Sequence, residues 1–220
     1  MSINLKESAL EINTLYPSLT EEMGSDLMFL CRIVTDFEPL IALCNEKIYS
    51  EEHKNYFISH HESDDPHYNN RTQEFIDNGY IPDTNEFYQV FCHQFPDIFE
   101  KFKKASGLIS AVSSFLIQPA GNVIGWHQDT FVTFRKKHKE SKLPIYRYMM
   151  MVEDSQPGHY FSAGNQTISN WKQGDIFYWH PNMYHCGANA GIQRKITLNM
   201  TGFADENCLH HASLGKTIII

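Results

Sequence analysis

SAVSSFLIQPAGNVIGWHQD, residues 110–129, sets the reading of the whole chain. Ser110–Ile117 is rich in β-formers, Pro119-Ala120-Gly121-Asn122 has the composition of a turn, and Val123–Asp129 resumes the extended pattern. The same alternation runs on to residue 203. Ile145–Val152 (IYRYMMMV), Tyr160-Phe161, Thr167-Ile168, Ile176–Trp179 and Lys195–Phe203 read as strands, separated by DSQPG, AGNQ, KQGD, HPN and GANAG. Roughly seven or eight short strands punctuated in this way predict a sandwich or jelly roll.

Upstream of about residue 107 the texture differs. Leu27–Val34 is a compact apolar run that predicts a strand. Thr35-Asp36 offers a helix N-cap, Pro39 falls in the first turn, and Phe37, Leu40, Ile41 and Cys44 recur at helical spacing. Phe87, Val90, Phe91 and Phe95 suggest another helix, broken at Pro96, after which Ile98, Phe99 and Phe102 begin a new one. HHESDDPHYNNR (60–71) reads as a long polar loop. The expected architecture is a single domain over 1–220. A helix-rich part, 1–107, packs on one face of a mainly β core, 108–205.

Composition narrows the function classes. A net charge of −8 argues against nucleic acid as a general partner. No apolar run approaches the ~20 residues of a bilayer span, and MSINLKESALEINTLYPSL lacks the pattern of a secretory signal. Cys31, Cys44, Cys92, Cys186 and Cys208 form no C-x-x-C, which suits reduced thiols in the cytoplasm.

The chemistry-bearing residues lie in the β half. His127 and Asp129 form an H-x-D pair; on an extended strand residues i and i+2 share a face, so both reach one metal while Gln128 points away. His185 follows four expected strands later and Arg194 soon after it. Two imidazoles and one carboxylate suit Fe(II) and leave coordination positions open. A guanidinium grips a distant carboxylate through two parallel hydrogen bonds. If GANAG (187–191) is a tight turn, the strands carrying His185 and Arg194 are neighbours.

With these residues in view, the segment 110–203 resembles the Fe(II)- and 2-oxoglutarate-dependent dioxygenases. The resemblance rests on W-H127-Q-D129, G174-D175, P-N-M-Y-H185 and R194-K-I-T-L-N. It implies a double-stranded β-helix with His127, Asp129 and His185 as metal ligands and Arg194 on the far carboxylate of 2-oxoglutarate. O2 and 2-oxoglutarate would react at Fe(II), with ascorbate as a reductant, to release succinate and CO2 and hydroxylate a C–H bond. Collagen-type prolyl hydroxylases generally carry a lysine where Arg194 stands. Plant-type members follow the arginine with x-Ser, whereas here Ile196 stands two residues on and Thr197 falls on the opposite strand face. Tyr146, Tyr148 and Arg147 are therefore further candidates for cosubstrate binding, with the tyrosines on one face and Arg147 on the other.

Blander readings stand beside these. His180 competes with His185 but reads as a loop residue. The cluster His60–His67 is more naturally a solvated acidic loop than a second metal site, and Arg135–Lys139 a solvated loop or a rim attracting anions. Met149–Met151 reads as packed strand. Trp126, Trp171 and Trp179 are core residues by default, with a pocket as the alternative. The rival function is a cupin-like metal- or ligand-binding barrel without catalysis, although cupins usually show H-x-H followed by glutamate. The expected substrate is a small molecule, an amino acid or a peptide residue.

Overall fold

The computed structural model describes residues 27–91, 96–180, 182–208 and 216–220. The readings placed on residues 1–19, Cys92 and Phe95 lie outside the described residues, as do the side chains of Ile98 and Phe99. Two facing sheets form a double-stranded β-helix, or jelly roll. The larger contains β1 (Met28–Val34), β2 (Lys54–Tyr56), β3 (Glu86–Phe91), β4 (Ile109–Gln118), β6 (Ile145–Met151), β9 (Asp175–Tyr178), β11 (Lys195–Phe203) and β12 (Lys216–Ile219). Their order is β12-β1-β9-β6-β11-β4-β3-β2. The smaller contains β5 (Val123–His127), β7 (His159–Ala163), β8 (Gln166–Ile168) and β10 (His185–Asn189), in the order β5-β10-β7-β8.

Period-two alternation divides the large sheet into two chemistries. On β6, Tyr148 and Met150 point outward, while Arg147, Met149 and Met151 face the small sheet; on β11, Ile196, Leu198 and Met200 point outward. The outward residues pack against two helices, α1 (Glu38–Lys47) and α3 (Pro96–Ser106). Leu40 and Cys44 of α1 and Phe102 of α3 join that core, and Phe37 stacks on Phe102 at 6.5 Å. Pro39 sits in the first turn of α1, where its missing N–H costs nothing. Between the sheets, Met149, Met151, Phe161, Trp171, Phe177 and Trp179 form a second cluster.

Four expectations need correction. Phe87–Phe91 is not helical: β3 pairs with β4, Val90 opposite Phe115, and Tyr88 and Val90 are buried on one face. The apolar spacing at 87, 90 and 91 fits either period, and the available sheet edge decides it. The 60–71 loop is half helix: α2 (Pro66–Asp77) begins inside it, with Asp65 accepting from the His67 N–H as N-cap. Residues 187–189 are strand, hydrogen-bonded to both β5 and β7, so GANAG is not one tight turn. β10 and β11 consequently lie in different sheets and are not hydrogen-bonded neighbours. Arg135–Lys137 are not loop but the last turn of a helix at Val132–Lys137. The strand expected at Leu27–Val34 forms as β1, which sits within the large sheet between β12 and β9.

Gly174 locks this last arrangement. Its N–H donates to Met151 O and its carbonyl accepts from the Ile33 N–H, and an added Cβ would lie 1.9 Å from Ile33 O at φ +83°. Gly174→Ala is expected to lower unfolding stability by about 2 kcal/mol or more in a denaturant titration. A change within about 0.5 kcal/mol would show that β1 is not held in this way.

Candidate metal centre and its cavity

β5 and β10 run antiparallel with His127 directly opposite His185, which brings their ring centroids to 4.3 Å. β5 ends at His127, and the chain then delivers Asp129 from the following loop. The ligand atoms of His127, Asp129 and His185 lie within 4.8 Å of one another, the one such set of three among the described residues. Gln128 points away and donates to the Asn182 carbonyl.

Each ligand is fixed by its backbone or a neighbour. His127 Nδ1 lies 2.8 Å from Gly125 O and His185 Nδ1 3.0 Å from Met183 O. Both rings therefore carry the proton on Nδ1 and present an unprotonated Nε2, the arrangement of metal-bound imidazoles. Asp129 Oδ1 accepts from Arg147 Nη1 at 2.6 Å, while Asp129 Oδ2 is buried with no hydrogen-bond partner. A buried carboxylate oxygen without a hydrogen-bond donor, beside two imidazole Nε2 atoms, is a donor set that fits a divalent cation.

Electrostatics favour the ligating protonation states. Burial, with His185 adding to it, pushes the His127 pKa down to about 3, and burial likewise lowers that of His185. Burial works against the Asp129 carboxylate, but the Arg147 guanidinium beside it, with Arg71 further off, holds its pKa below the usual value. Arg147 is itself anchored: Nε donates to Thr201 Oγ1 at 3.0 Å, and the guanidinium lies 4.9 Å from the Phe131 ring centroid. Phe131 adopts a left-handed conformation (φ 52°), uncommon for an aromatic residue, to present that ring.

His127 and His185 open on a cavity of about 240 Å³ between the sheets, and Asp129 lines the chamber beside it. Trp171, Trp179, Phe161, Met149 and Met151 form much of the cavity's apolar wall; polar groups reach it from β4 and β11 as Gln118, Lys195, Thr197 and Asn199. Two of the three tryptophans thus serve both core and cavity. A wider chamber of about 910 Å³ adjoins it, sharing Tyr68, Gln89, Arg147 and Asn199 and bordered by Lys136 and Lys137 of α4 (Val132–Lys137).

Other sequence candidates fall elsewhere. Arg194 shares the outward parity of Ile196 and pairs with Glu153 at 2.8 Å, off the cavity lining. Tyr148 is buried in the outer core, on the opposite side of β6 from Arg147. Arg147 does reach the cavity, but bound to Asp129. His180 Nδ1 accepts from the Asn182 N–H in the turn before Met183. His60 pairs with Asp83 and joins no metal set.

The missed residue is Lys195. It is 5% exposed, and its Nζ donates to Tyr160 O at 2.9 Å and Ala188 O at 3.1 Å. Gly187 makes the space, since a Cβ there would meet Lys195 Nζ at 3.3 Å. Among the described residues no carboxylate pairs with it, and burial pushes its pKa down to about 7. The signal was present in K-I-T-L-N-M-T: polar residues alternate with apolar ones, and the apolar ones are needed by the outer core.

No protein-family model matches the chain, and no curated protein matches it in sequence. A Pseudomonas putida prolyl-4-hydroxylase shares 12% identity at a TM-score of 0.49, over 87% of this chain and 100% of that one. A viral collagen prolyl hydroxylase from Paramecium Bursaria Chlorella virus-1, solved as a 2OG complex, shares 14% identity at 0.36, over 58% and 84%. A predicted oxalate decarboxylase from Thermotoga maritima shares 12% at 0.35, over 54% and 82%. At these identities the likeness is one of fold alone.

Two outcomes follow from the geometry. Arg147→Met should weaken Co(II) binding, titrated by absorbance, by about 10–100-fold; unchanged affinity would show that Arg147 does not orient Asp129. Between about pH 7 and pH 10 the unfolded chain holds a proton on Lys195 that the native state does not, so this group makes stability rise with pH across that window. Urea midpoints should therefore climb more steeply with pH in wild type than in Lys195→Met, and parallel curves would contradict the lysine's burial.

Proposed function

We propose that this chain is an Fe(II)- and 2-oxoglutarate-dependent dioxygenase that hydroxylates a C–H bond. The observation that carries the reading is that His127 and His185 face the same cavity as the buried Lys195 amine, while Asp129, whose Oδ2 has no hydrogen-bond partner, completes the three-ligand set from the adjoining chamber. His127, Asp129 and His185 would hold Fe(II); the two-nitrogen, one-oxygen donor set suits it and leaves positions open. Bound there, the metal with O2 and 2-oxoglutarate supplies the oxidant for the C–H bond, with release of succinate and CO2.

The chain's own residues do the rest. Lys195, rather than Arg194, binds the far carboxylate of 2-oxoglutarate, and Thr197, two residues along the same strand face, offers it a hydroxyl. An incoming carboxylate also removes the penalty of an unpaired buried ammonium, so binding and lysine protonation reinforce each other. Arg147 holds Asp129 in place and does not contact the cosubstrate. Trp171, Trp179, Phe161, Met149 and Met151 keep bulk water from the reacting atoms. A reducing cytoplasmic compartment suits Fe(II) and the thiols of Cys31, Cys44, Cys186 and Cys208, which form no disulfide among the described residues.

The test is succinate released from 2-oxoglutarate by protein supplied with Fe(II), ascorbate and O2. Wild type should release succinate and Asp129→Ala should not. Lys195→Met should raise the half-saturating 2-oxoglutarate concentration by about 10–100-fold, while Arg194→Met should stay within about threefold. The reverse order of the two variants would return the anchor to Arg194. A wild-type protein that binds metal but never 2-oxoglutarate would fit a ligand-binding barrel instead.

A further inference from the structure

We infer that the substrate is a small free carboxylic acid, amino acids included, and that Arg71 binds its carboxylate; this rests on the dioxygenase reading above. Arg71 projects from α2 into the same cavity as His127, His185 and Lys195. Its guanidinium lies 4.8 Å from the Tyr68 ring centroid and 5.6 Å from that of Phe57. The Phe57 ring in turn packs on His127 at 5.6 Å. Gly125 permits this, since a Cβ there would meet the Phe57 ring at 2.8 Å. One aromatic ring therefore separates Arg71 from a metal-ligating imidazole.

Arg32, Arg147 and Arg194 each pair with a carboxylate: Asp175, Asp129 and Glu153. Arg71 differs: no carboxylate lies within ion-pairing distance of it among the described residues, and burial lowers its pKa by more than the more distant Asp129 and Asp65 restore. Two aromatic faces hold it in place without neutralising it. A preorganised, partly desolvated guanidinium facing a cavity is a receptor for a carboxylate.

Position assigns it to the substrate and not the cosubstrate. Lys195 and Thr197 extend from β11, and Lys195 lies against β7 and β10. Arg71 approaches from α2, whose Tyr68 also borders the outer chamber, so it stands on the entry side. A residue inside a peptide lacks a free α-carboxylate, and the inner cavity of about 240 Å³ favours a small ligand.

The test uses the free proteinogenic L-amino acids and small mono- and dicarboxylic acids, each beside its carboxamide. Two readouts are taken: stimulated succinate release, and calorimetric binding to Zn(II)-loaded protein with and without 2-oxoglutarate. At least one acid should stimulate and bind, with its carboxamide about 10–100-fold weaker. Arg71→Gln should erase that discrimination, and Arg71→Lys, keeping charge without the fork, should restore part of it. No residue of α2 is buried, so these variants spare the core. The inference is overturned if no acid binds or stimulates, if acid and amide act equally, or if Arg71→Gln keeps the discrimination. It is also overturned if Arg71→Gln raises the requirement for 2-oxoglutarate instead. Arg71-dependent discrimination in a protein that binds no 2-oxoglutarate would support this site while removing the dioxygenase reading.

Discussion

The site depends on one cross-strand register, His127 opposite His185. Because side chains alternate along a strand, a one-residue slip of β10 against β5 would turn one imidazole out of the barrel. The pairing of β10 with β7 on its other edge guards against that slip, with five consecutive residue pairs from His185↔Ala163 to Asn189↔His159. Asn189 adds a further tie: its side chain donates to the carbonyls of Gln118 and Gln193, across the gap to the large sheet's β4. The two histidines are thus held by backbone pairing, with a register irregularity just after His185, while Asp129 is held from the following loop by Arg147.

The cavity is a second consequence of alternation. β6 and β11 must bury apolar side chains against α1 and α3 on their outer faces, which leaves the inner faces free to carry Arg147, Lys195, Thr197, Asn199 and Thr201. Arg147 is stabilised by Asp129 and Thr201, whereas no carboxylate pairs with Lys195 and none forms a direct ion pair with Arg71 among the described residues, Asp129 and Asp65 acting on Arg71 only at longer range. A buried amine and a half-buried guanidinium without a directly paired carboxylate both gain from a ligand that supplies one. Their presence on two walls of one cavity is coherent if two carboxylates enter it, one from the cosubstrate and one from the substrate.

Much of this was legible in the sequence. The strands from 110 to 203 were clear because β-rich runs and turn residues alternate sharply, and His127, Asp129 and His185 stood out by residue type and order. The errors have physical reasons. Phe87–Phe91 carries a spacing compatible with both periods, and only β4 as a partner makes it a strand. G-A-N-A-G looks like a turn because glycine and asparagine favour turns, yet Gly187 serves to admit Lys195 and Asn189 to bridge the sheets. Arg194 stands out by its spacing from His185, but the strand's own alternation places it with Ile196 on the outer face, where it pairs with Glu153. Arg71 carried no sequence signal, since it lay in a stretch read as loop and its role depends on a helix crossing the cavity.

The most direct measurement is calorimetric titration of 2-oxoglutarate into wild-type protein under anaerobic conditions, with and without Fe(II). Saturable binding that requires the metal would unite the triad and the buried lysine in one site, as proposed. Binding of equal strength without Fe(II), or none with it, would contradict the account.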